Sequence, residues 1–389
     1  MTIINQGIKR KESDALQTAT AQAVATTGKP GRRSCLLQLG ALVFANSAWG
    51  QTSTVVANPA VVSTPTYVAN AKLEKKQISI AAVNKTALAY LPLTVAEQLG
   101  YFAAEGLEVE LTEPPSMARA QQLASSASGL DVVCGWLENT LLLQTKGQAF
   151  TAFVLQGRAP QIALGISTVT LPSFRQLPDL RGKRVGVMAP DTPSHTIAHS
   201  VLTRAGLRAG DYSFVSVGSA SGALAALRAG QIDALSYLDP VITQLELRGE
   251  LRVVADTRTQ RGTLQACGGE MPATCLYATP EFVQQHPNTI QAVTYAMVHA
   301  LKWLQTAGLS DLMKTVPESY FASDRALYLA AFARMRDAIA LDGVISVAGV
   351  RNTLEALRGA GSILRTDKVD IEKCFTNTFA QAAKLRYKV

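Results

Sequence analysis

VAEQLGYFAAEGLEVEL (95–111) changes rhythm halfway. Its first part spaces apolar residues as a helix does, Gly100 ends that helix, and after Gly106 the run LEVEL alternates apolar and acidic residues as a half-buried strand does. Such a helix-to-strand joint belongs to a βαβ unit. The residues around it agree: QISIAAV (77–83) reads as a preceding strand, Pro92 opens the helix, ARAQQLASSA (118–127) is a second helix, and LDVVC (130–134) a third strand. A β-α-β-α-β order with short links implies parallel strands and right-handed crossovers.

The same order returns in KRVGVM (183–188), SHTIAHSVLTRAG (194–206), YSFVSV (212–217), SGALAALRAG (221–230) and IDALSYL (232–238). ASGLDVVCGWLEN (127–139) and RAGQIDALSYLDP (228–240) also match in outline: a helix end, a Gly, an Asp-bearing strand, and an acid at Glu138 or Asp239. The chain therefore reads as two related α/β lobes. Its 389 residues, 48% hydrophobic and 17% charged, suffice for two cores.

The formal charge is +8, but residues 1–50 hold six Lys/Arg against Glu12 and Asp14, so removing them leaves +4. That remainder has no basic run and no interleaved aromatics, which argues against a nucleic-acid partner. GRRSCLLQLGALVFANSAWGQTS (31–53) sets paired Arg32 and Arg33 before a short apolar run and the small residues Ala48 and Gly50. This reads as an export signal (1–50) cut near Gly50, twin-arginine-like although Cys35 stands where that motif usually has Phe. An ordinary secretory signal is the rival reading. A flexible leader over 51–76 follows, and the destination is the periplasm. Four cysteines remain after the signal. Cys267 and Cys275, in ACGGEMPATC (266–275), are close in sequence and are expected to bridge, stabilising by about 2.5 kcal/mol.

LPLTVAEQLGYFAAEGLEVEL (91–111), LDVVCGWLEN (130–139), LPDLRGKRVGVMAPDTPSH (177–195), LRAGQIDALSYLDP (227–240) and TPEFVQQHPNTIQAVTYAMVHALKW (279–303), in that order, resemble the solute-binding proteins of ATP-driven importers. The resemblance is to the nitrate, sulfonate and taurine branch that also holds thiamine-precursor binders. It implies a two-lobed periplasmic-binding-protein type II fold, each lobe a mostly parallel sheet flanked by helices, with the ligand in the cleft. Lobe 1 would comprise 77–170 and 275–389, and lobe 2 would comprise 171–274 with the crossovers. The implied function is reversible capture, by hinge closure, of a small organic anion, sulfonate- or carboxylate-like. The partners would be that small-molecule solute and a membrane permease, and the protein a monomer without cofactor or metal. Tyr101 and Phe102 would pack beneath the first sheet.

In open α/β sheets ligands sit beyond the carboxyl ends of strands, where loops and helix N-termini deliver donors. The candidates are Asn84, Thr86 and Tyr90 after the first strand, Ser116, then Trp136, Glu138 and Asn139 after the third. In the second lobe they are Thr192, Ser194 and His195, with Ser219 and Asp239. Thr192 or Ser194 capping a helix would leave donors for an anion. His195 and His199 stand four apart, a metal-compatible spacing, but no Glu follows His195 as metalloprotease motifs require. Glu138 and Asp239 suit a ligand ammonium or amidine, or else cap helices. Arg158 is the nearest arginine for an anion. Two other readings use the same cleft: an enzyme like the fungal thiamine-pyrimidine synthase, which needs a cofactor-holding lysine and an iron-binding cysteine cluster, and a ligand sensor without a transporter. Lys85 is the sole lysine in these loops, and the cysteines are scattered.

Overall fold

The computed structural model describes residues 72–126, 129–321 and 324–389, all within the unit Val62–Val389. The expected export signal and the leader as far as residue 71 lie outside the described residues. The leader was expected to run to Lys76, but the chain is pinned earlier. Glu74 accepts the N–H groups of Asn288 (3.1 Å) and Thr289 (2.9 Å), and Lys75 pairs with Asp131 at 2.6 Å.

Lobe 1 begins with β1 (Gln77–Ala82), α1 (Leu91–Gln98) and α2 (Tyr101–Ala104). Gly100 stands between the two helices at φ 70, a left-handed turn that glycine makes without steric cost. That turn is the break in rhythm at the centre of residues 95–111. Phe102 is buried below the sheet, while Tyr101 is half-buried and stacks on His299 at 3.8 Å. Next come β2 (Glu108–Thr112), α3 (Met117–Ala124), β3 (Val132–Trp136), α4 (Glu138–Gln144) and β4 (Thr151–Leu155). Lobe 2 holds β5 (Ile162–Ser167), β6 (Arg184–Val187), α5 (Pro193–Arg204), β7 (Ser213–Ser216), α6 (Ala220–Arg228), β8 (Ala234–Leu238), α7 (Val241–Leu247), β9 (Leu251–Asp256) and α8 (Gln260–Cys267). The chain then returns through β10 (Thr274–Ala278), α9 (Pro280–Gln285), α10 (Pro287–Thr306), α11 (Leu309–Thr315), α12 (Arg325–Met335), α13 (Val347–Gly359) and α14 (Thr378–Tyr387).

The sheets run β2-β1-β3-β10-β4 and β7-β6-β8-β5-β9. In each, the first three strands are parallel and the fourth is antiparallel to both neighbours. Even the irregularities match: the pairing slips at Leu276/Tyr277 in the first sheet and at Leu164/Gly165 in the second, on equivalent strand pairs. Asp131 accepts the Ser79 N–H at 2.9 Å, and Asp233 accepts the Arg184 N–H at 2.9 Å, so the Asp before the third strand locks it to the first strand in both lobes.

The lobe boundary falls earlier than expected. Residues up to 170 were assigned to lobe 1, yet β5 hydrogen-bonds to β8 and β9 in the second sheet. β5 is buried along its whole length, and a strand covered on both faces reads as one apolar run with nothing to mark its lobe. A Cβ on Gly165 would overlap Leu251, so the glycine admits close packing by β9. The first crossing is therefore at 157–161. The Ala273 N–H donates to the Gly157 carbonyl at 2.8 Å, the Gln156 N–H to Thr274 at 2.7 Å, and the Arg158 N–H to Ala338 at 2.8 Å. Three hydrogen-bonded segments thus form the hinge, and a Cβ on Gly157 would lie 2.7 Å from Thr274 Oγ1. The return segment is also less confined than expected: α13 packs on both α4 and α5, and Arg334 of α12 pairs with Glu246 of α7.

The expected Cys267–Cys275 bridge is absent; both are free, buried thiols. Cys267 ends α8 in the lobe 2 core, whereas Cys275 lies in β10 in the lobe 1 core. The intervening residues carry the chain from one core to the other instead of folding back as a tight loop. Burial pushes the Cys267 thiol up to about 12.

Candidate functional site

A cavity of about 320 Å³ lies between the carboxyl ends of the two sheets. Lobe 1 supplies Asn84, Ala87, Ala89 and Tyr90 from the segment after β1, Met117 from α3, and Trp136, Glu138 and Asn139 from the β3–α4 joint. Lobe 2 supplies Ile162, Met188, Leu238 and the run from Asp191 to Ser194. A larger depression, about 580 Å³, lies on lobe 2 alone between α5, β9 and α8, rimmed by the exposed Arg204 and Arg261. No lobe 1 residue borders it, so hinge motion cannot close over it.

Local chemistry explains each wall. Asn84 adopts φ 58, a conformation that Asn tolerates better than most residues, and its carbonyl accepts the Ala87 N–H at 2.9 Å. Gly135 leaves room for Tyr277: a Cβ there would lie 2.9 Å from the Tyr277 hydroxyl and 3.1 Å from Met117 Cε. That hydroxyl takes hydrogen bonds from Gln121 (3.2 Å) and Asn139 and faces the Met117 sulfur at 3.3 Å, which fixes the wall beside Trp136. Tyr90 is buried, and burial holds its phenol well above the ordinary value.

Glu138 is the chemically unusual member. It opens α4, is 6% exposed, and among the described residues accepts no hydrogen bond and forms no ion pair. Burial, followed by the charge of Asp191, pushes its carboxyl up to about 8. Asp191, at φ 56, accepts the Ser362 hydroxyl at 2.7 Å. Among the described residues lining the cavity there is no Lys, Arg, His or Cys.

Seven expected residues line this cavity: Asn84, Tyr90, Trp136, Glu138, Asn139, Thr192 and Ser194. Five do not. Thr86 is exposed and donates to its neighbour Asn84 at 3.1 Å; Ser116 and Ser219 cap α3 and α6. His195 packs edge-on against Phe214 at 4.6 Å, and burial lowers its pKa. Asp239 turns away to Arg258, as described below. Arg158 pairs with Asp337 at 2.6 Å and lines a different depression behind the hinge. The N-terminus of α5 is poorly supplied with donors. Pro193 has no N–H, the Thr192 hydroxyl donates to the Ala189 carbonyl at 2.7 Å, and the Ser194 hydroxyl accepts the Met188 N–H at 2.9 Å. Met117, Met188, Asp191, Ile162 and Leu238 were not singled out. Each stands at or beside a strand or helix end, the position from which they could have been found.

Residues 88–307 match the family model described as NMT1/THI5 like. A solved structure from Bordetella bronchiseptica RB50 is 42% identical, covering 82% of this chain and 100% of its own, with a TM-score of 0.71. The putative sulfonate ABC transporter protein SsuA, a periplasmic sulfonate-binding protein of Methylobacillus flagellatus KT, is 19% identical over 82% of this chain and 96% of its own, TM-score 0.62. Among curated proteins, the 4-amino-5-hydroxymethyl-2-methylpyrimidine phosphate synthase of Schizosaccharomyces pombe (strain 972) is 26% identical over 237 residues. The match takes in 59% of this chain and spans 64% of that protein's length. The two-lobed architecture is that of type II periplasmic binding proteins.

Proposed function

Because the chain belongs to the NMT1/THI5-like family, and its lobes share one small cavity across a three-segment hinge, we propose that it is the extracytoplasmic solute-binding component of an ABC importer. It would capture a small solute by closing the lobes and present it to a membrane permease as an exported monomer. The observation that carries this reading is the composition of the cavity: strand-end residues of both sheets meet there, so closure buries a ligand from two sides. The volume suits a ligand at the small end of the usual range. No described helix is long and apolar enough to cross a membrane, as befits a component that works beside its permease. The sensor reading shares this cleft, but no residue favours it.

The synthase relative makes catalysis the competing reading. Such an enzyme would need a lysine to hold its cofactor and clustered cysteines for iron, and the residues here do not fit. No lysine lines the cavity, Lys85 stands outside it, and although Cys134 and Cys275 are neighbours on paired strands, no group of three metal-binding side chains occurs among the described residues. Small-angle scattering with and without solutes from a thermal-shift panel tests the proposal. Compaction on binding, with the solute recovered unchanged, is expected. A bound solute converted to product would overturn it.

A further inference from the structure

Two carboxylates face the cavity, and nothing of opposite charge answers them. Glu138 is buried and unpartnered, and Asp191 holds only the Ser362 hydroxyl. Arg158 is committed to Asp337 behind the hinge, and His195, which feels the charge of Asp191, lies against Phe214 with its Nδ1 buried and unpartnered. The positive end of α5, where an anion would be expected to sit, has Pro193 in its first turn and Asp191 directly before its cap. A sulfonate or carboxylate entering here would face Asp191 and find no counter-charge among the described lining residues. A cation would supply the partner that Glu138 lacks. Around the acids, Trp136 and Tyr90 offer aromatic surface, and Met117, Met188 and Leu238 offer apolar surface.

Resting on the solute-binding reading, we propose that the cleft selects a small cation with a flat apolar body, a protonated amine or amidinium on an aromatic ring. Its N–H groups reach Glu138 and Asp191, and its ring lies against Trp136. The expectation of a sulfonate- or carboxylate-like ligand is accordingly reversed in sign.

Probes of one skeleton and opposite charge test this: benzamidine against benzoate and benzenesulfonate, followed by thermal shift and titration calorimetry on the full chain. Benzamidine should raise the melting temperature and the two anions should not. Glu138→Gln should weaken benzamidine binding at least tenfold, and Asp191→Asn several-fold. Circular dichroism confirms folding, and either variant alone suffices should the other misfold. Tighter binding of an anion, or equal benzamidine affinity in wild type and both variants, overturns the charge assignment and leaves solute binding standing. If neither benzamidine nor other aromatic amines bind, the cation class falls. If scattering also shows no compaction with any neutral or anionic solute, the solute-binding reading falls with it.

Discussion

Glu138 and Asp239 are the buried acids that follow the third strand of each lobe, and they have opposite fates. Asp239 accepts the Thr243 N–H at 2.9 Å and faces Arg258 at 3.4 Å. That arginine, 2% exposed, also meets Asp256 at 2.7 Å and Glu246 at 3.1 Å. Burial raises the pKa of Asp239, but Arg258 and the Thr243 hydrogen bonds oppose the rise. Glu138 has no such partner, and Asp191 adds to the effect of burial. The difference comes from a single residue of register. Counting from the paired Asp131 and Asp233, Glu138 stands seven residues on and Asp239 six. Trp136 and Leu238, at matching positions, both line the cavity. The next residue in each lobe, Leu137 or Asp239, turns into the protein, and only lobe 1 has an acid at the position that turns back. One lobe spends its acid on its own stability, and the other offers it to the cleft.

Breaking the Arg258 set should have the largest effect. Arg258→Ala leaves Asp239, Asp256 and Glu246 facing one another without their shared cation and should cost about 3 to 5 kcal/mol, measured by urea unfolding. A loss below about 1 kcal/mol would remove the contrast between the lobes. Gly135→Ala comes next. Lobe 2 carries Tyr237 at the matching position, but in lobe 1 the Tyr277 hydroxyl and Met117 occupy the space, so the added methyl should cost about 2 kcal/mol.

Glu138→Gln should have the opposite sign and an effect that is smallest at low pH. The folded-state carboxyl, near 8, lies above its ordinary value, so the folded protein keeps a proton that the unfolded chain releases. The stability this provides is complete below about pH 4.5 and is lost as pH rises to about 8. The ligand-free glutamine variant should escape that loss, so its stability relative to the wild type should climb by a few kcal/mol between about pH 4.5 and 8, with a flatter profile of melting temperature against pH. Identical slopes in the two proteins would mean that Glu138 has a partner in the folded state.

Much of this architecture was legible in the sequence because alternation and helical spacing are local patterns, and residues 95–111 alone display the joint on which the fold is built. The lobe boundary was not: β5 is apolar throughout, and only Gly157 and Pro160 just before it hint at a crossing. Glu138 and Trp136 were legible as strand-end residues. Asp239 was misread because matching two segments in outline tolerates a one-residue offset, while side-chain direction does not. Thr192 was preferred to its neighbour Asp191 because capping is readable from residue type, whereas the charge balance of a cavity exists only once distant segments meet. The cysteine pairing failed for a similar reason, since nearness along the chain does not say on which side of a hinge each thiol lies.

The central claim is that the partner missing from Glu138 is the ligand, and proton release on binding tests it most directly. Titration calorimetry with benzamidine at pH 7, in two buffers of different ionisation enthalpy, counts the protons exchanged. Glu138, near 8 in the free protein, starts mostly protonated and should ionise against the bound cation. The account predicts release of close to one proton in the wild type, none in Glu138→Gln, and affinity that rises with pH up to about 8. Binding without proton release, or with the same release in the variant, would contradict it.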